Sequence, residues 1–156
     1  MTRPTETPLL VIEDSDEDFE ILQLLMEDMG VCCPICRCDT GDRALEMISQ
    51  YKARPRLEDD HWPAVILLDL NLPGIDGREI LTYLKQDDQL QEIPVVVFTT
   101  SSDPKDIRNC YRNGANGYLI KPVDTQQLEE KIQAFVDYWL SANSTSNWKK
   151  VNLVGS

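Results

Sequence analysis

The chain has 156 residues, the length of one domain, and a domain of that size buries roughly two-thirds of its unfolded surface without needing disulfides or a metal to fold. It is 42% hydrophobic and 27% charged, with 27 acids against 15 bases and a net charge of −12. That balance argues against nucleic acid as a partner, since such affinity comes largely from Lys and Arg on phosphates, and against an anionic membrane surface.

The longest apolar run, Ala64 to Leu68, falls far short of the ~20 residues of a membrane-spanning helix. The opening Met-Thr-Arg-Pro-Thr-Glu-Thr-Pro lacks the apolar core of a secretion signal. The expectation is a cytoplasmic chain with its cysteines reduced.

Pro8 to Ile12 reads as a buried strand. Ser15 to Met29 reads as a helix with Ser15 as cap, Asp16, Glu17 and Asp18 in its positive first turn, and Gly30 as its stop. A weaker strand over Ile35 to Cys38 precedes a helix from Asp42 to Tyr51, with Ala44, Leu45, Ile48 and Tyr51 on one face. Lys52 to Pro63 is polar and reads as a loop. Ala64 to Asp69 is a strand, Asn71-Leu-Pro-Gly a turn, and Asp76 to Lys85 a helix through Ile80, Leu81 and Leu84. Val95 to Thr99 is the fourth strand, and Asp103-Pro104 opens a helix that stops at Gly114. Tyr118 to Ile120 is the last strand. A final helix from Thr125, capped by Asp124 or Thr125, carries Leu128, Ile132, Phe135, Val136, Trp139 and Leu140 on one stripe.

Strands apolar on both faces, alternating with helices, predict an α/β fold: a doubly wound parallel sheet covered on both sides. Ligands of such sheets bind beyond the carboxyl ends of the strands. There the first strand ends in Glu13-Asp14 and the third in Asp69, closely followed by Asn71. The fourth ends in Thr99-Thr100-Ser101-Ser102 and the fifth in Lys121-Pro122. Three carboxylates brought together repel one another, and Lys121 cannot balance them alone. An oxygen-lined acidic site of this kind suits Mg²⁺, which recruits phosphate. Lys121 and Thr99 are then placed to hold phosphoryl oxygens, and an aspartate carboxylate is a recognised phosphoryl nucleophile.

Glu13-Asp14, Asp69-Leu-Asn-Leu-Pro-Gly-Ile-Asp-Gly77, Thr99-Thr100 and Gly114-Ala-Asn-Gly-Tyr-Leu-Ile-Lys-Pro122 together resemble the receiver domain of two-component response regulators, over about Leu9 to Leu140. The resemblance implies a five-stranded flavodoxin-like (βα)5 fold of strand order 2-1-3-4-5. It implies that Asp69 is the phosphoacceptor for a histidine kinase. It implies Mg²⁺ bound by Asp14, Asp69 and the Asn71 carbonyl, with Glu13 acting through a water. Lys121 would hold the phosphoryl group. Thr99 and Tyr118 would be the switch residues, and the Lys121–Pro122 bond would be cis. Such a protein is a phosphoacceptor, not an enzyme in the ordinary sense, though it assists its own phosphoryl transfer and hydrolysis.

The long 52–63 insertion, the Thr99-Thr-Ser-Ser102 run and the absence of an effector domain are similar to the stand-alone regulators of cyanobacterial phytochrome kinases. This implies a bilin-binding phytochrome as kinase. It also implies a homodimer through the face of the fourth helix, fifth strand and fifth helix. The expected organisation is a receiver over residues 7–141 and a C-terminal tail over 142–156 without an output domain.

A competing function is a Mg-dependent aspartate-nucleophile phosphatase of the haloacid dehalogenase type. It requires an acid two residues after the nucleophile, where this chain has Asn71. Cys32, Cys33, Cys36 and Cys38 crowd one segment. Alternation along a strand turns Cys36 and Cys38 one way and Cys33 the other, so they read as small core residues rather than a zinc or redox site. His61, the only histidine, reads as solvated. Trp139 reads as core, beside Tyr138.

Overall fold

Five short strands, each flanked by helices, pair only in parallel. The computed structural model describes residues 8–53 and 62–142. His61, most of the 52–63 insertion and the tail beyond 142 lie outside the described residues. The elements are β1 (Leu9–Ile12), α1 (Asp16–Asp28), β2 (Ile35–Cys38), α2 (Gly41–Lys52), β3 (Val65–Leu68), α3 (Gly77–Gln86), β4 (Val95–Thr99), α4 (Pro104–Arg112), β5 (Gly117–Ile120) and α5 (Thr125–Phe135). Strand order is β2-β1-β3-β4-β5, as the resemblance implied. In register, Ile12 stands beside Cys38 and Leu68, and Thr99 beside Ile120. The residues following β1, β3, β4 and β5 therefore emerge at one edge of the sheet.

The strict alternation of the strands divides the core. Leu10, Ile12, Ile66, Leu68, Val95 and Val97 face α2 and α3 through Ala44, Ile48, Ile80, Leu81 and Leu84. Leu9, Val11, Val65, Leu67, Val96 and Phe98 face α1 and α5 through Leu22, Met26, Leu128, Ile132 and Phe135. Three of the four clustered cysteines follow the same rule, while Cys32, expected in the core, is exposed. Cys36 and Cys38 pack on the first layer and Cys33 on the second, and burial pushes the Cys33 and Cys38 thiols up to about 11.

Local chemistry sets the helix starts. Ser15, Thr40, Asp76, Asp103 and Asp124 each accept a hydrogen bond from a first-turn N–H; at α5 the cap is Asp124 rather than Thr125. Two elements differ from the sequence expectation. Trp62, read as part of a polar loop, is 1% exposed and is the largest fully buried side chain among the described residues. Its indole Nε1 donates to the Tyr51 carbonyl at 3.0 Å, which binds the end of α2 to the approach to β3. The last helix changes hydrogen-bonding pitch: residues Val136–Ala142 are π-helical. Trp139 and Leu140 still pack on the second layer, Tyr138 is exposed, and the two rings meet edge to face at 5.1 Å.

Lys85 does work that no sequence pattern announces. Its ammonium donates to the carbonyls of Gln91 and Ile93 and to Asn116 Oδ1, at 2.8–3.0 Å. Asn116 Oδ1 also accepts from Val95 N at 2.9 Å. One lysine thereby ties α3 to the entries of β4 and β5.

Candidate functional site

Glu13 follows β1 directly, and the loop is pinned from two sides. Glu13 Oε2 accepts from Ser15 N at 3.1 Å, and its carbonyl accepts from Arg37 Nε at 3.0 Å. Arg37 also pairs with Asp16 at 2.7 Å and lies over the Phe19 ring. Asp69 follows β3 and is buried, as are Glu13 and Thr99. Asp69 Oδ1 accepts from Asn71 N at 3.2 Å, which folds the loop back on the carboxylate. Asp14 is exposed, yet Glu13, Asp14 and Asp69 each bring a carboxylate oxygen within 4.8 Å of the others. Among the described residues this is the only such group.

Lys121 enters from β5. Its Nζ meets Glu13 Oε1 at 2.7 Å, Asp18 Oδ2 at 2.9 Å and Asp69 Oδ2 at 3.1 Å, and it lies 5.2 Å from the Phe98 ring centre. Burial alone would lower the Lys121 pKa; the surrounding carboxylates, Glu13 foremost, outweigh it and raise it. Burial pushes the Glu13 carboxyl upward, and the Asp69 charge adds to the effect while Lys121 opposes it. The resemblance's cis Lys121–Pro122 bond is not present, for no described peptide bond is cis. Trans is the intrinsic preference before proline, and here it already delivers the ammonium to the pocket.

Thr99, at the end of β4, accepts from Asn71 Nδ2 and from Ser101 N, both at 3.4 Å. The Asn71 side chain is thus engaged with Thr99. The Tyr118 hydroxyl donates to the Ser101 carbonyl at 2.9 Å. Beside it runs a polar chain that the sequence reading missed. Arg78 grips Asp106 with two hydrogen bonds, at 2.9 and 2.8 Å, and also donates to Asp76. Ser101 Oγ donates to Asp106 at 2.6 Å. The loop after β4 is therefore tied to both α3 and α4. No sequence signal separates this Arg and Asp from ordinary surface charges.

Arg78 and then Ser101 hold the Asp106 carboxyl down to about 2, from an ordinary 3.8. A depressed carboxylate stabilises the fold above its unfolded value and loses that contribution as pH falls through the folded one. Asp106→Asn should cost about 1 kcal/mol near neutrality, since the pair lies at a solvated rim. The deficit should shrink as pH drops from about 4 toward 2. Urea unfolding of both proteins across that range checks it; a deficit independent of pH would contradict the assignment.

The pocket sets the three carboxylates of Glu13, Asp14 and Asp69 together, a donor set that fits a hard divalent cation, with the Lys121 ammonium against two of them. The response regulator receiver domain model matches residues 9–133. The chain belongs to the response regulator receiver family. This receiver is 35% identical over 135 residues to response regulator Rcp1 of Synechocystis sp., covering 85% of this chain and 88% of that one. It is 34% identical to a probable methanogenesis regulatory protein, FilR2, of Methanothrix harundinacea, covering 86% and 84%. It superposes on the Mn²⁺-bound form of Rcp1 with a TM-score of 0.81 at 32% identity, covering 89% of this chain and 98% of that one. On the phosphorylated cyanobacterial phytochrome response regulator RcpA the TM-score is 0.78 at 30% identity, covering 90% and 98%. The receiver is thus related to phytochrome response regulators, and receivers are signalling modules rather than enzymes of the ordinary kind. No described helix is long and apolar enough to cross a membrane.

Proposed function

We propose that this receiver takes a phosphoryl group from a histidine kinase onto Asp69. The observation that carries the reading is the buried contact of Lys121 with Asp69, 3.1 Å apart, at the edge of the Glu13–Asp14–Asp69 group. An Asp69 oxygen attacks phosphorus, and the bond to the kinase imidazole nitrogen breaks. The electron pair stays on that nitrogen, which takes up a proton. Lys121 holds a phosphoryl oxygen as charge develops, and Thr99 offers its hydroxyl to another once it leaves Asn71. Mg²⁺, held by Asp14, Asp69 and the Asn71 carbonyl with Glu13 acting through a water, would supply charge neutralisation of the phosphoryl oxygens. The same groups then assist hydrolysis of the acyl phosphate.

Thr99 and Tyr118 are the proposed switch. Both touch the loop that Ser101 ties to Asp106, so a shift of Thr99 would be felt in α4. The signal would leave through the α4, β5 and α5 face, as a homodimer or a change of kinase affinity. Residues 7–141 would form the receiver, 142–156 a tail, and the setting would be cytoplasmic. The kinship with a phytochrome response regulator supports a bilin-binding phytochrome as the kinase.

The phosphatase alternative is disfavoured by Asn71, whose amide cannot shuttle a proton and donates to Thr99 instead. Phosphotransfer from candidate histidine kinases, a bilin-binding one among them, tests the reading, with sedimentation of the phosphorylated and unphosphorylated forms. Transfer and a mass shift in sedimentation are the expected outcome. Sustained turnover of small phosphate esters, with no phosphorylated protein accumulating, would favour the phosphatase.

A further inference from the structure

Three carboxylates hold the Lys121 ammonium, and in the phosphorylation reaction two of them have other tasks. Asp69 forms the new bond, and Glu13 shares a cluster with Asp14 that fits a divalent cation. The third, Asp18, is not part of that cluster. Its Oδ2 lies 2.9 Å from Lys121 Nζ, with the lysine side chain 7% and the aspartate side chain 20% exposed. The Asp18 backbone is fixed separately, because its N–H donates to Ser15 Oγ at 3.2 Å. The carboxylate is therefore not needed for the helix cap.

We propose that Asp18 is a positioning residue for Lys121. It keeps the ammonium aimed into the pocket while Asp69 changes from ion-pair partner to acyl phosphate. The inference rests on the phosphoacceptor reading above.

Two effects of Asp18 compete. Its negative charge repels an incoming phosphoryl group, while its contact orders a lysine that has a flexible four-carbon stem. Contact with the ammonium is direct; the repulsion acts over a longer path and from a partly solvated carboxylate. Coulomb energy falls with distance and with solvent access, so ordering wins. The Phe98 ring near the ammonium offers no oxygen to replace Asp18.

The test compares the wild type with Asp18→Ala and Asp18→Asn. Three quantities are read: the maximal rate of phosphate uptake from acetyl phosphate, Mn²⁺ affinity by calorimetry, and the Lys121 ammonium signal in ¹H–¹⁵N spectra. Asp18→Ala should slow uptake by about tenfold, the scale of a small misplacement of a reacting group. It should broaden the Lys121 signal and leave Mn²⁺ affinity unchanged. Asp18→Asn, which keeps an oxygen acceptor, should recover most of the rate. Asp18→Leu repeats the comparison should the alanine variant fold poorly. Uptake in Asp18→Ala as fast as wild type, or equal slowing in the Ala and Asn variants, overturns the proposal. So does a loss of Mn²⁺ affinity as large as that of Asp14→Asn. If the wild type itself takes up no phosphate, the phosphoacceptor reading fails, and the ammonium signal alone still decides whether Asp18 holds Lys121.

Discussion

Asp69→Asn should fold and take up no acid-labile phosphate, with labelling by acetyl phosphate reduced by at least about a thousandfold. An amide oxygen lacks the charge and nucleophilicity of a carboxylate, and no other described carboxylate both meets Lys121 and sits on the loop whose Asn71 side chain reaches Thr99. Glu13 is the nearest rival. It is buried and 2.7 Å from Lys121, but burial pushes its carboxyl toward the neutral form. The fold should survive, because Lys121 retains Glu13 and Asp18 and the Asn71 N–H keeps an oxygen to bond in the new side chain. A thermal midpoint close to wild type, together with absent label, is the expected pair of results. Undiminished labelling of this variant would remove Asp69 from the reaction.

The sheet and most of the site are legible in the sequence because they rest on short-range rules. Apolar runs such as Leu9 to Ile12 and Val95 to Thr99 announce buried parallel strands. The topology then carries Glu13, Asp69, Thr99 and Lys121 to one edge, although Asp69 and Lys121 are 52 positions apart. What stays hidden depends on three-dimensional partners. Asp18 reads as a first-turn acid that suits the helix dipole, and the sequence does not reveal that Lys121 reaches it from β5. Trp62 sits among charges, so composition assigns it to a loop, while the space between α2 and β3 takes it into the core. The stripe through Trp139 and Leu140 fits a helix, yet cannot distinguish α from π pitch over its last two turns.

Gly77→Ala should be the most damaging single-methyl change near the pocket. The glycine is not there for an unusual backbone angle. Its place is set by contact: a Cβ at Gly77 would lie 2.1 Å from the Asp69 carbonyl oxygen and 2.7 Å from the Leu70 Cα. Both atoms are backbone, so neither can swing aside as a side chain end would. The approach is fixed from both directions. Gly77 N donates to the Leu70 carbonyl at 2.9 Å, and the Asp76 carboxylate caps α3 through Arg78 N at 2.8 Å. A methyl group must therefore push α3 and the Asp69 loop apart, at a cost of about 2–3 kcal/mol. The displaced loop carries the carboxylate that meets Lys121, so phosphate uptake should also fall, by about tenfold to a hundredfold. Gly117→Ala provides the contrast. A Cβ there comes no closer than 3.5 Å to the Val96 side chain, an ordinary contact, and its effect on stability should stay within about 0.5 kcal/mol. Urea unfolding and uptake rates measured on both variants decide the matter. Equal behaviour of the two would show that the close packing of α3 against the Asp69 loop does not set the geometry of the site.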